Sequence, residues 1–407
     1  AYMSETDLRS LWKEVTVIFL ANSRMSVQPT YNWPQQLSAA DYQACCDAVI
    51  ALAQKNPTVA SVYLLGGTWH PGISDLDIIV VYKDLAVVEP VPGPWKISPH
   101  ADFIFTHRYF SYDEKDFPLF FYFYPDGANV RLLWGNDLTI EKPKNLFSEK
   151  EYLDLQLFIL FDVIVNKLLL MPSRLRSNPF SVRHALGELY SMKYSCTMVE
   201  QITAQRIGEE FIAQISALRK SWFNLDADEA LRQLRALIPQ GIVLITDIVS
   251  LVDAYLQSHF DIPTKKMRFT NASVRYLCTE QWSATAFMHQ LHRSQVSVHI
   301  PFTKKRIQSN FLLLPTSFSY CLYVYASSNG LFSDKIRSSL SVNSPITLNA
   351  AVAQHVAAMN QVVASSNKRK GMYKVPYPFG FSSADNSLQK RFIASALKFY
   401  DTIRTSL

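Results

Sequence analysis

The stretch "LLGGTWHPGISDLDIIVVY", residues 64–82, constrains the fold more than any other part of the chain. A hydrophobic run stops at Gly66 and Gly67. A short polar turn follows, and then Asp75 and Asp77 lead into a second hydrophobic run. The two runs predict strands over 60–65 and 76–82. On a strand, residues two apart share a face and sit roughly 6–7 Å apart. Asp75 and Asp77 are therefore aimed at one spot, while Leu76, Ile78 and Val80 face the other way. Two adjacent carboxylates repel, and burying them unpaired is costly, so a cation is the usual remedy. Solvated turns also carry Asp-x-Asp, but the apolar run over 78–81 argues against one here.

Hard oxygen ligands favour Mg²⁺ or Mn²⁺, and Mg²⁺ is commonly held by one or two carboxylates together with substrate phosphates. The glycines supply a place for those phosphates. Without a Cβ their backbone can approach a ligand closely, and exposed N–H groups at a helix start bind anions. A phosphate cradle beside a metal-binding strand suits in-line attack on a nucleoside triphosphate with pyrophosphate leaving.

Bulk properties bound the rest. The 407 residues allow two or three domains, and 48 % hydrophobic with 18 % charged content predicts a packed core. The net charge of +6 is a weak bias towards anionic partners, far below that of a dedicated nucleic-acid binder. Five scattered cysteines (Cys45, Cys46, Cys196, Cys278 and Cys321) lack metal spacing and fit reduced thiols in a cytoplasmic setting. The short apolar stretch over 15–21 follows Glu5, Asp7 and Glu14, which does not suit a cleaved signal peptide. No membrane-spanning segment and no membrane partner are expected.

Along the chain, 38–55 predicts a helix opened by Ser38 and Asp41. Further strands are expected at 101–106, 119–124 and 130–133, and the proline-rich 87–99 reads as a loop. Helical patterns follow at 149–171, 181–207, 209–222, 227–238 and 242–260. Residues 262–271 read as a linker, 273–293 as helical, and 311–326 as strand or helix. Helices are expected at 347–365 and 388–405. The expected class is α+β. Residues 1–145 would form a mixed sheet with helices, 146–262 a helical domain closing the cleft, and 263–407 a mainly helical region.

The order strand, Gly-Gly, short turn, Ser-Asp-x-Asp resembles the nucleotidyltransferase superfamily typified by DNA polymerase β. Pro71-Gly72-Ile73-Ser74-Asp75-Leu76-Asp77 is similar to the motif of bacterial aminoglycoside nucleotidyltransferases. The resemblance covers roughly residues 38–140. It implies that Gly66, Gly67 and Thr68 contact phosphate, that Ser74 supports the turn, and that Asp75 and Asp77 bind two Mg²⁺ ions, with Mn²⁺ as a substitute. It also implies a third carboxylate on a neighbouring strand that shares the metal and activates the attacking hydroxyl. Asp102 is the best match, with Asp113, Glu114 and Asp116 as competitors. The Trp134-Gly135-x-Asp137 ending of an apolar strand adds to the likeness. Two departures stand out. Gly67 replaces the more usual Ser, and the seven residues from Gly67 to Asp75 make a loop about one helical turn shorter than the family's.

The second domain of such enzymes closes the cleft. On the helix over 181–200, Lys193 could touch the triphosphate and Glu188 could hold an acceptor, although solvated charges on an amphipathic helix are the commoner reading of such a pattern. The basic clusters 265–268, 304–306 and 368–370 lack interleaved aromatics, and His289 and His292 lack zinc-site partners. The aromatic-proline stretch 373–381 reads as C-terminal packing. The expectation is transfer of a nucleoside monophosphate, AMP from ATP first, to a hydroxyl acceptor. A small molecule such as an aminoglycoside leads over a tRNA end or a protein side chain. The rivals are a nucleotide-binding interaction protein without turnover and an RNA-terminal transferase.

Overall fold

The computed structural model describes residues 29–319, apart from 67–69, 85–90, 116, 124–128, 139–148, 170, 176–178, 260–266, 272–273, 280–281, 284–295 and 300–305. Gly67, Thr68, Asp116, Cys321, His289, His292, the triplets 304–306 and 368–370 in whole or part, the stretch 373–381, and the helices expected after 320 lie outside these residues.

A short strand β1 (Thr30–Tyr31) precedes helix α1 (Ala39–Gln54). Ser38 and Asp41 form a reciprocal capping box at the start of α1, which satisfies two of its otherwise orphaned N–H groups. Strand β2 (Val59–Leu65) is buried along its whole length and pairs antiparallel with β3 (Asp77–Tyr82), Leu65 opposite Asp77. A helical turn α2 (Ala101–Ile104) leads to β4 (Phe110–Asp113), which runs parallel to β3. After a turn α3 (Phe120–Phe123), β5 (Val130–Gly135) pairs antiparallel with β2. The resulting mixed sheet has the order β4-β3-β2-β5.

Alternation explains its two faces. Val62, Leu64, Ile78, Val80 and Tyr82 pack on Tyr42, Cys45, Cys46 and Val49 of α1. Tyr63, Leu65, Ile79 and Val81 meet an aromatic cluster of Tyr112, Phe117 and Phe120. Asp77 shares this second face and sits at its edge, where the apolar packing ends.

Two strands expected from sequence are helical turns instead. Residues 101–106 begin with α2, because Ala101 and Ile104 bury one side of a turn against the α1 layer. Residues 117–123 form consecutive 3-10 and α turns, so that Phe117 and Phe120 stack on one side of the sheet. The strand beside β3 is β4, a few residues downstream.

The helical part begins with α4 (Glu149–Val163), a π turn (Ile164–Leu168) and α5 (Met171–Leu175). Strand β6 (Phe180–Ser181) pairs parallel with β1 and feeds α6 (Val182–Thr203). Helices α7 (Glu209–Ser221) and α8 (Ala227–His259) complete a bundle with a large apolar core. The sequence predicts a break near Pro239, yet α8 continues through it. Leu234, Leu237, Ile238, Ile242 and Ile245 are all buried on either side, so packing outweighs the lost backbone hydrogen bond. By length and composition α8 could cross a membrane, but its most apolar window is 67 % buried within the protein, as in a core helix.

Beyond residue 263 most of the described residues lie in strands, in place of the linker expected over 262–271 and the helix over 273–293, while over 311–315 the strand alternative is the one observed. β7 (Met267–Asn271), β8 (Val274–Thr279), β9 (Val296–His299) and β10 (Arg306–Pro315) form a second sheet in the order β7-β8-β10-β9. Cys278, Leu314 and Phe318 join the core of the helical bundle. The runs are short and rich in β-branched and aromatic residues, which suits pairing once a partner strand is present. The class is therefore α+β, with sheets on either side of the helical segment in sequence.

Candidate functional site

The turn before β3 is fixed from several directions. Gly72 has φ +79, and a Cβ there would lie 1.6 Å from the Gln35 carbonyl oxygen. The Tyr42 hydroxyl accepts from the Gly72 N–H at 3.1 Å and donates to the Ser74 carbonyl. Arg183, buried at the start of α6, donates to the carbonyls of Ile73 at 2.9 Å, Ser74 at 2.8 Å and Phe103. Arg219 of α7, also buried, donates to Ser74 Oγ at 2.8 Å and to the Leu186 carbonyl at 3.2 Å. Ser74 thus supports the turn, as its place in the motif implies.

This turn delivers Asp75 and Asp77 to one place. The ligand atoms of Asp75, Asp77 and His107 all lie within 4.8 Å of one another. Thr106 Oγ1 donates to Asp75 Oδ2 at 2.6 Å, and His107 Nε2 lies 2.8 Å from Asp77 Oδ1. Two consecutive residues between α2 and β4 therefore hold the two carboxylates. His107 Nδ1 lies 2.7 Å from the Arg108 carbonyl, and its ring packs on Phe110 with centroids 4.6 Å apart.

Electrostatics follow from this crowding. Burial pushes the Asp77 carboxyl up from its ordinary value, the Asp75 charge adds to the rise, and His107 partly offsets both. Burial opposes a charge on His107, but Asp77, the Arg108 carbonyl and Asp75 together hold its imidazole above the usual range. His70 moves the other way, lowered by burial and by the charges of Arg219, Lys220 and Lys193.

The three residues line a cavity of about 480 Å³ between the first sheet and the helical bundle. Gly66, Ser74, Lys167, Glu188, Lys193 and Arg219 also line it. Gly66 has φ +97 and open space where a Cβ would project. Lys193 Nζ donates to the Tyr190 hydroxyl at 3.1 Å and lies over the rings of Tyr190 and Tyr194, at 4.4 and 4.7 Å. Glu188 pairs with His184 at 3.3 Å. Lys167 reaches the cavity from the π turn, an insertion that re-aims side chains within a helix.

Of the residues expected from sequence, Asp75, Asp77, Gly66, Ser74, Lys193 and Glu188 come together here. Asp102 does not. It is exposed on α2 and is absent from the cavity lining. Asp113 sits at the far end of β4, opposite Tyr82, and is likewise not in the lining. The place expected for a third carboxylate is taken by His107, five residues after Asp102 in "HADFIFTHRYF". Its signal in the sequence is a polar pair, Thr106 and His107, a few residues ahead of the short strand β4. Gly135 and its neighbours are structural: the Asn136 carbonyl accepts from Ser61 Oγ at 2.6 Å and from the Tyr63 hydroxyl at 2.9 Å.

A metal ion fits this donor set. Two carboxylates converge with an imidazole whose other nitrogen is engaged by a carbonyl, an arrangement common around metal-ligating histidines. No family model matches the chain, and no curated protein or solved structure matches it.

Proposed function

We propose that the protein is a divalent-metal-dependent nucleotidyltransferase that moves a nucleoside monophosphate from a triphosphate, ATP first among them, to a hydroxyl acceptor, with pyrophosphate released. The observation that carries this reading is the meeting of Asp75 and Asp77 with the Gly66 turn in a cavity that also exposes Lys167 and Lys193. At about 480 Å³ the cavity is of a size that holds a small ligand.

Each residue has a part. Asp75 and Asp77 would hold the cation, and the chemistry it would supply is polarisation and charge neutralisation of phosphoryl oxygens. Thr106 and Arg183 keep those carboxylates and their turn in position. Gly66 leaves room for a phosphate against its backbone. Lys167 and Lys193 attract the anionic tail, and the rings of Tyr190 and Tyr194 hold the Lys193 ammonium in place. Asp75, Asp77 and Glu188 are the cavity carboxylates able to take a proton from an incoming hydroxyl.

A second reading, nucleotide binding without turnover, is favoured by one observation: Asp102, the expected third carboxylate, stands outside the cavity. Incubation with each nucleoside triphosphate, Mg²⁺ or Mn²⁺, and a panel of small-molecule, RNA and protein acceptors separates the two. Transfer predicts pyrophosphate release that falls at least about 100-fold in Asp75→Asn or Asp77→Asn, the scale on which loss of a charge-stabilising group acts. Nucleotide binding with no release under any acceptor supports the second reading. Neither binding nor release overturns both.

A further inference from the structure

We propose that His107 is a direct metal ligand, so that Asp75, Asp77 and His107 Nε2 form a mixed oxygen–nitrogen site that takes a first-row transition ion such as Mn²⁺ in preference to Mg²⁺. This rests on the reading of Asp75 and Asp77 as metal-binding residues and departs from the all-carboxylate triad that the sequence motif implies.

Five observations carry it. The three ligand atoms are mutually within 4.8 Å, a span that one ion can bridge. A carbonyl oxygen only accepts, so the 2.7 Å contact to Arg108 places a proton on Nδ1 and turns Nε2 towards Asp77. Packing on Phe110 fixes the ring plane. Thr106 occupies one oxygen of Asp75 and leaves Oδ1 for the ion. Asp102, which would have made the site all-oxygen, is on the exposed side of α2.

The chemistry of selection follows from the donor. Mg²⁺ prefers oxygen ligands in a near-ideal octahedron and gives up water reluctantly. Imidazole suits the later divalent ions, and affinity for nitrogen-containing sites rises along the first row from Mn²⁺. Mn²⁺ is also at home with carboxylates, so a site of two carboxylates and one imidazole accepts it where Mg²⁺ gains little from the nitrogen.

The test measures metal binding, not turnover. The full chain is titrated with Mn²⁺, free ion being read from its electron paramagnetic resonance signal, with and without Mg²⁺ as competitor. The bound ion is then examined by electron spin-echo envelope modulation for a coordinated nitrogen. The expected results are one tight Mn²⁺ site, nitrogen modulation in the wild type, and a Mn²⁺ over Mg²⁺ preference that narrows at least about tenfold in His107→Asp. Circular dichroism checks that the variant is folded, and the modulation measurement needs no variant. If the wild type binds Mn²⁺ through Asp77, shown by loss in Asp77→Asn, but lacks nitrogen modulation and keeps its preference in His107→Asp, the imidazole ligand is refuted and the carboxylate site stands. If the wild type binds no Mn²⁺, or if Asp75→Asn and Asp77→Asn leave binding unchanged, the metal site itself falls and this inference with it.

Discussion

At the residue scale, the chain keeps several ionisable groups where water is scarce, and each is answered differently. Arg183 donates to carbonyls, Arg219 donates to Ser74 and the Leu186 carbonyl while its Nε has no partner among the described residues, and both feel the charge of Asp75. Asp247 on α8 has no such answer among the described residues: burial raises its carboxyl to about 6. An acid with a higher value folded than unfolded holds its proton more tightly in the native state. Stability therefore falls as pH rises from about 4 to about 6 and stays lower above that. The cost at neutral pH is on the order of 2–3 kcal/mol. Asp247→Asn is expected to raise Tm at pH 7.5 and to flatten the decline between pH 4 and 6, as read by thermal scans across that range. A Tm at pH 7.5 equal to or below the wild type's would refute the assignment.

At the element scale, the decisive piece is the turn joining β2 to β3. Its hydrogen bonds come from Tyr42 on α1, from Gln35, and from arginines on α6 and α7. Gly72 is the position where its backbone approaches another segment too closely for a side chain. Gly72→Ala combines an unfavourable positive φ with a clash against Gln35. It is expected to cost at least about 2–3 kcal/mol in urea unfolding and to weaken metal binding by displacing Asp75. Unchanged stability would mean that the turn has another conformation. Short apolar elements are where the structure departs from the sequence pattern. Residues 101–106 and 119–124 are apolar enough for strands, and short apolar runs do not distinguish a strand from a buried helical turn. The parallel partner of β3 is four residues long and hides in "FSYD". Beyond residue 263, pairing between β8 and β10, which are distant in sequence, decided the outcome, and local patterning carries no trace of such pairing.

At the scale of the whole molecule, the cavity exists because two layers are clamped together. Arg183 reaches from the helical bundle to carbonyls of both the Asp75 turn and α2, and Arg219 reaches to Ser74. Arg183→Met would leave buried carbonyls unpaired and is expected to cost about 3–5 kcal/mol. It is also expected to uncouple the layers. In wild-type protein, circular dichroism and tryptophan fluorescence should report one coincident urea transition. In the variant the two probes should separate. Coincident transitions at wild-type denaturant concentration would show that the clamp is not what joins them. The sequence by itself determined the strands β2 and β3, the helix α1, and the shared face of Asp75 and Asp77 close to Gly66, because all of these follow from periodicity and backbone sterics over fewer than about 20 residues. Tertiary structure alone decided that His107 and not Asp102 joins the pair, that Lys167 enters the cavity from a π turn, and that buried arginines hold the site. Those choices depend on which distant groups packing brings within hydrogen-bond reach, and a linear pattern does not encode that distance.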